Sequence, residues 1–196
     1  MSEEYRYRRT VEPSVEPVTI DEFKAHARID YDDQDTVIAG LITAARTWCE
    51  EYLQRSFITT TWTLTTDDFP QNDYIHVQRA NLIAVTSIQY VDTNGSTQAW
   101  SSSHYRVDAY NEPPRIQPAY GAWYPFARDI SNAVTITFTA GYGATAASVP
   151  QTIKQAILML ASHWFENREP VNIGNIVSPL PMTVEALLMP ERWNLR

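Results

Sequence analysis

Two stretches of this chain carry apolar residues at steps of three and four, and the sequence between them switches to a step of two. Val37, Ile38, Leu41, Ile42, Ala45, Trp48, Cys49 and Tyr52 make the first stripe; Ile153, Ala156, Ile157, Leu160, Ala161 and Trp164 make the second. A helix turns once in 3.6 residues, so each stripe is one apolar face that something else must cover. The economical solution packs one helix on the other. The predicted fold class is therefore α+β: a helical core of two long packed helices plus short helices, with an inserted small antiparallel β unit.

The boundaries follow from caps, prolines and phase. Residues 1–18 are expected as a flexible N-terminal arm, because Pro13 and Pro17 disfavour helix in the residues before them. Thr19-Ile-Asp-Glu22 reads as a capping box opening a short helix with Ile20, Phe23 and Ala27 on one face. The acidic run Asp30, Asp32, Asp33 and Asp35 suits the positive end of the next helix, which reaches about Leu53. The β insert is placed at about 57–143. Thr61–Thr66 alternates with Trp62 and Leu64 on one face, and Ile75 and Val77 repeat the pattern. Ile83 and Val85 lie on one phase and Ile88 and Tyr90 on the other, which calls for a bulge near Thr86 or Ser87. Asp92-Thr-Asn-Gly95 has the chemistry of a hairpin turn. Further strands are expected around 98–100, 105–108, 115–117 and 133–139. Pro150 suits the first turn of the last long helix, and Pro170 stops it soon after Arg168. A single domain over 19–169 is expected, followed over 170–196 by a mobile C-terminal segment with a short helix from Val184 to Leu188.

Function classes are narrowed mostly by what fails to converge. Fifteen Lys and Arg against twenty-three Asp and Glu give a net charge of −8, so the average surface should repel a phosphate backbone. Cys49, the single cysteine, sits on the first apolar stripe and reads as a small buried hydrophobe. No apolar run approaches the ~20 residues of a membrane span. Met1-Ser-Glu-Glu-Tyr-Arg6 lacks the apolar core of a signal peptide, so a soluble protein made in a reducing cytoplasm is expected. His26, His76, His104 and His163 share no metal-binding spacing. Asp32-Asp33 and Asp67-Asp68 sit at element ends, where capping or solvation is the ordinary role of paired carboxylates. Ser101-Ser-Ser103 beside His104 lacks a nucleophile elbow. Gly141-Tyr-Gly143 is followed by no Lys-Ser/Thr and reads as a turn. Glu3 and Glu4 dilute the cluster Arg6, Arg8 and Arg9, which reads as a solvated arm. No catalytic, cofactor-binding or metal residue is assigned, and the chain is read as not an enzyme.

Aromatic residues remain: six Trp, eleven Tyr and six Phe. The run Tyr120-Gly-Ala-Trp-Tyr-Pro-Phe126 is a loop too rich in Gly and Pro to bury fully, and Trp193 lies far from either stripe. Large aromatics in such segments act as anchors at protein interfaces. Trp123, Tyr124 and Phe126 are candidate partner contacts on that ground.

Several segments taken in order resemble a known family. Pro17-Val-Thr-Ile-Asp-Glu-Phe-Lys-Ala-His-Ala-Arg-Ile-Asp30 and Asp35-Thr-Val-Ile-Ala-Gly-Leu-Ile-Thr-Ala-Ala-Arg-Thr-Trp-Cys-Glu-Glu-Tyr52 look like the opening of head–tail connector (adaptor) proteins of long-tailed phages and prophages. Val85-Thr-Ser-Ile-Gln-Tyr-Val-Asp92, Tyr105-Arg-Val-Asp108, Pro114–Tyr120, Val134–Gly143 and the helix from Pro150 to Glu169 continue the likeness over about residues 17–190. Within that group the chain most resembles the gp8-like prophage proteins related to gp6-like connectors. The resemblance implies a structural virion protein at the head–tail junction, present in the host cytoplasm during assembly. It implies a homo-oligomeric ring, commonly a 12-mer, beneath the portal protein, offering a docking surface to stopper or tail proteins. Genomic DNA would pass through without specific binding, with no membrane and no cofactor involved. By the same analogy the segment 182–196 is the candidate portal contact, which adds Leu187, Leu188, Met189 and Trp193 to the candidate residues. The alternative at the same junction is a stopper or tail-completion protein.

Overall fold

The computed structural model describes residues 5–70, 74–79, 81–167 and 182–192. The chain divides into two compact units, each made of two separate pieces of sequence: Met1–Pro13 with Thr59–Tyr142, and Ser14–Ile58 with Gly143–Arg196.

The first unit is built of strands. In chain order they are β1 (Arg6–Val11), β2 (Thr60–Thr66), β3 (Ile75–His76), β4 (Leu82–Val91), β5 (Thr97–Ala99), β6 (Tyr105–Asp108), β7 (Arg115–Pro118) and β8 (Val134–Ala140). A five-stranded sheet runs β1-β2-β8-β4-β5 and a three-stranded sheet β3-β7-β6, and every pairing is antiparallel. β2 and β8 bury every second residue, and their register sets Trp62 opposite Phe138 and Leu64 opposite Ile136. Alternation in two neighbouring strands puts both apolar sets on one face, and a one-residue slip would turn them to solvent. Ile75 and Ile116 of the smaller sheet belong to the same apolar cluster as these residues. The bulge foreseen in β4 falls between Val85 and Ser87. The turn at Asp92–Ser96 joins β4 to β5, with Gly95 at φ +86 and the Asp92 carboxylate accepting the Asn94 and Ser96 N–H groups at 2.9 Å.

The second unit is helical: α1 (Ile20–Ala27), α2 (Asp35–Leu53), α3 (Gln151–Glu166) and α4 (Met182–Leu188). The capping box at α1 is present, with Glu22 N–H donating to Thr19 Oγ1 at 3.1 Å and Thr19 N–H to Glu22 Oε2 at 2.8 Å. α2 has no side-chain cap. Its acidic approach is spent on Lys24, which pairs with Asp32 and Asp35. α3 lies against α2, and α4 against α3. Ile38, Ile42, Ala45 and Cys49 are the buried face of α2, whereas Val37, counted in the stripe, is 46% exposed. Phe23 of α1 meets Phe165 of α3 edge to face at 5.8 Å.

The expected fold class is corrected. Two long packed helices carrying a small β insert do not organise this molecule. Among the described residues it holds four helices and eight strands in two antiparallel sheets, and the strands possess an apolar core of their own. The physical reason lies in the phase-matched alternation of β2 and β8, which closes a core between strands and needs no helix face to cover it. Residues 6–11, expected within an arm, form β1, which pairs with β2.

Candidate partner-binding surfaces

The β6–β7 hairpin and the loop after it carry the most exposed aromatic residues of the first unit. Tyr110 and Tyr120 are each 101% exposed, Trp123 86% and Phe126 89%. A Tyr or Trp left wholly in water gains nothing for folding, so such residues mark an interaction surface where they gather. Beneath them lies a packed aromatic floor. Tyr124 stacks on Phe69 at 5.4 Å, Trp100 leans on both at 5.4 and 5.5 Å, and the Tyr124 hydroxyl donates to the Ile116 carbonyl at 3.2 Å. Phe69, Tyr74, Trp123, Tyr124 and Phe126 thus wall an open cavity of about 790 Å³, with Asp68 and Gln117 as its charged and amide groups.

The tip of the β6–β7 hairpin is held by hydrogen bonds. Asp108 Oδ1 accepts the N–H groups of Tyr110 and Asn111, both at 3.2 Å. Arg115 Nε donates to Asp108 Oδ2 at 3.0 Å, and Asn111 Nδ2 to the Pro113 carbonyl at 2.9 Å. The Arg115 hydrogen bond, helped by the two amides, holds the Asp108 carboxyl below its ordinary value.

The sequence-derived contact residues separate in this structure. Trp123, Tyr124 and Phe126 line the one cavity, two of them exposed and Tyr124 partly buried in the floor. Leu188 is fully buried with Val184, as core of the second unit, while Leu187 is half-buried and Met189 is 66% exposed. Trp193 lies outside the described residues. The turn after α4 is fastened to the C-terminal end of α2 and the chain just past it: Arg55 Nε donates to the Glu191 carbonyl at 2.8 Å and the Arg192 guanidinium sits over Tyr52 at 5.1 Å. Tyr110 was passed over in sequence. The signal available was an isolated Tyr inside Asp108-Ala-Tyr-Asn-Glu-Pro-Pro114, a turn-forming string with nothing to bury it.

Several of the groups weighed for chemistry have structural partners. The Ser101 and Ser103 hydroxyls bond to each other at 2.9 Å, and the His104 N–H closes a tight turn on the Ser101 carbonyl. Asp67 accepts the Asn132 N–H at 2.7 Å and Arg6 at 3.1 Å, contacts that hold its carboxyl below the usual range. Arg6 also donates to Asn132, and Arg9 lies over Trp62 at 4.8 Å and pairs with Glu12. Burial, with Glu50 beside it, pushes the Cys49 thiol up to about 12. Among the described residues no group of His, Cys, Asp and Glu converges as a metal site would require, and no helix is long and apolar enough to cross a membrane.

The model of the head completion protein family matches residues 16–173. The chain belongs to the head completion protein family. It is accordingly a structural protein of the head–tail junction, the class that its sequence resembles. No curated protein is significantly similar to it. Among solved structures, a chain in "Virion of native gene transfer agent (GTA) particle" superposes with a TM-score of 0.79 at 22% identity, covering 95% of this chain and 94% of that one. A chain of the "Neck of empty GTA particle computed with C6 symmetry" gives 0.78 at 24%, covering 95% of both. One of the "Neck of native GTA particle computed with C12 symmetry" gives 0.76 at 23%, covering 95% and 94%. At these identities the likeness concerns the fold, and it extends over nearly the whole of both chains.

Proposed function

We propose that this head completion family member is a ring-forming adaptor subunit that stacks beneath the portal protein and presents a docking surface to stopper or tail proteins. The family match over residues 16–173 carries the reading. The fold likeness to chains from particle necks computed with six- and twelve-fold symmetry supports it. A ring subunit needs two different faces that bind each other, which is a demand on surface and not on a catalytic centre. The exposed aromatic cavity of the first unit supplies one such surface. Met189 and the turn after α4 supply a candidate portal contact, held in place by Arg55 and Arg192. A net charge of −8 suits a protein past which DNA slides without being gripped. The role is assembly, with no substrate turned over.

The test is electron microscopy of the purified protein mixed with its cognate portal. Rings of this chain stacked on portal rings are the expected result. Failure to join the portal, together with binding to isolated tail-tube ends, would replace the adaptor reading by a tail-completion one.

A further inference from the structure

The β6–β7 hairpin carries, at its two ends, a knob and a hollow of matching chemistry. At the tip, Tyr110 stands wholly in solvent on a turn fixed through Asp108, Asn111 and Arg115. At the base, Gln117, Pro118 and Ala119 border the aromatic cavity. We propose that copies of this chain bind head to tail, the Tyr110 tip of one copy entering the aromatic cavity of the next; the proposal rests on the ring reading above and names its contact.

Four observations favour a second copy as occupant. The pairs Asp108–Arg115 and Tyr105–Pro118 mark the two ends of the hairpin, three residue steps or about 10 Å apart. A tip held that far from its own cavity by a hydrogen-bonded ladder is free to serve another copy's. The hydrogen bonds at the tip mean that little conformational freedom remains to be lost on docking, which is what makes an exposed side chain an effective anchor. The chemistry matches as well. A buried phenol ring seeks apolar walls and its hydroxyl seeks an acceptor, and the cavity offers Phe69, Trp123 and Phe126 beside Asp68 and Gln117. Finally, the four exposed aromatics of this region, Tyr110 on the tip and Tyr120, Trp123 and Phe126 around the cavity, can together bury roughly 600–1,000 Å², about half of the ~1,600 Å² that a stable interface buries over both partners. A contact joining two different surfaces repeats from copy to copy and makes a ring when its rotation closes.

The test uses Glu112→Cys at the tip and Ala122→Cys at the cavity rim, which leave Tyr110 and the aromatic walls in place; native Cys49 is buried and its thiol suppressed. The two variants are treated with a short bismaleimide, separately and as an equal mixture. The mixture should give a covalent dimer several-fold above either variant alone, and Tyr110→Ser in the Glu112→Cys chain should abolish that excess. Self-linking of Glu112→Cys as efficient as mixed linking would overturn the head-to-tail contact. So would rings that assemble unchanged, by native mass spectrometry, with Tyr110→Ser throughout; that result leaves the ring reading standing. A wild-type chain that forms no ring beside its portal removes the ring reading itself, and the contact with it.

Discussion

Replacing Glu50 by glutamine barely alters the shape of α2, yet it withdraws a charge from a place water does not reach. Glu50 is 0% and Arg46 3% exposed. Glu50 Oε2 accepts from Arg46 Nη1 at 2.8 Å and Oε1 from the Phe57 N–H at 2.8 Å, while Arg46 Nε donates to Glu16 Oε2 at 2.7 Å. One carboxylate therefore ties the middle of α2 to the chain leaving its C-terminus, and Arg46 ties both to the segment before α1. In Glu50→Gln the amide oxygen can keep the Phe57 bond only by turning its NH₂ toward the guanidinium, so a charge-assisted bond becomes a donor facing a donor. Breaking one side of a buried ion pair costs about 3–5 kcal/mol. Glu16 still neutralises part of the Arg46 charge, so the low end, about 3 kcal/mol, is expected. With urea slopes of about 1–3 kcal/mol per molar, the midpoint should fall by roughly 1–3 M. Far-UV circular dichroism during urea unfolding reads this directly. Arg46→Met combined with Glu50→Gln removes both charges and should cost less than the two single changes added together. A loss below about 1 kcal/mol for Glu50→Gln, or strict additivity in the double variant, would refute the argument that an uncompensated buried charge sets the cost.

Other outcomes follow from residues already placed. Leu188→Ala should destabilise the chain by about 2–5 kcal/mol in the same urea assay, because Leu188 is core. Met189→Ser should stay within about 0.5 kcal/mol and weaken only pull-down of the portal. Cys49, with its thiol raised to about 12, should resist iodoacetamide at pH 8 and react fully in denaturant; alkylation of the folded protein at the rate of a free thiol would contradict its burial. Asp108 has a folded value below its ordinary 3.8, so its contribution to the hairpin tip is complete above that value and fades as pH falls through the lower, folded one. Hydrogen exchange at the Tyr110 and Asn111 amides should therefore lose protection on acidification, and Asp108→Asn should show the same loss at neutral pH. Protection unchanged in both cases would remove Asp108 as the tip's fastener.

Local rules were legible in this sequence where a short stretch decides its own conformation. The Thr19–Glu22 capping box, the bulge at the β4 phase change and the Asn-Gly turn after Asp92 each depend on a few adjacent residues, and each is present. The architecture was not legible, because it depends on which stripe meets which. The helical stripes were strong enough to suggest a single core around them. The strands' apolar sets are shorter, and only the register of Trp62 with Phe138 and Leu64 with Ile136 reveals that they face one another. β1 was missed because it alternates Arg and Tyr, an unremarkable pattern until Arg6 finds Asp67 and Arg9 finds Trp62 across the fold. The buried Arg46 and Glu50 were hidden for a related reason: an Arg–Glu pair at i,i+4 usually reads as a solvated helix face, and its burial depends on the distant Glu16 and Phe57. The aromatic loop announced itself through Gly and Pro beside Trp and Phe, whereas Leu188 was named by analogy alone, and its burial depends on the packing of α4 against α3.

The path of the chain through its two units bears on how the protein comes off the ribosome. It leaves the sheets after Pro13, returns at Thr59, and departs for good after Tyr142. β2 finds its central neighbour only when β8 emerges, as in the pairing of Thr60 with Ala140, and α2 waits longer still for α3. Closing such wide loops delays folding until most of the polypeptide is out. Until then an apolar helix face and an unpaired strand edge stand open in a crowded cytosol, the circumstances in which nascent chains recruit chaperones or clump. The chain thus passes through its most adhesive form before either of its two units has closed.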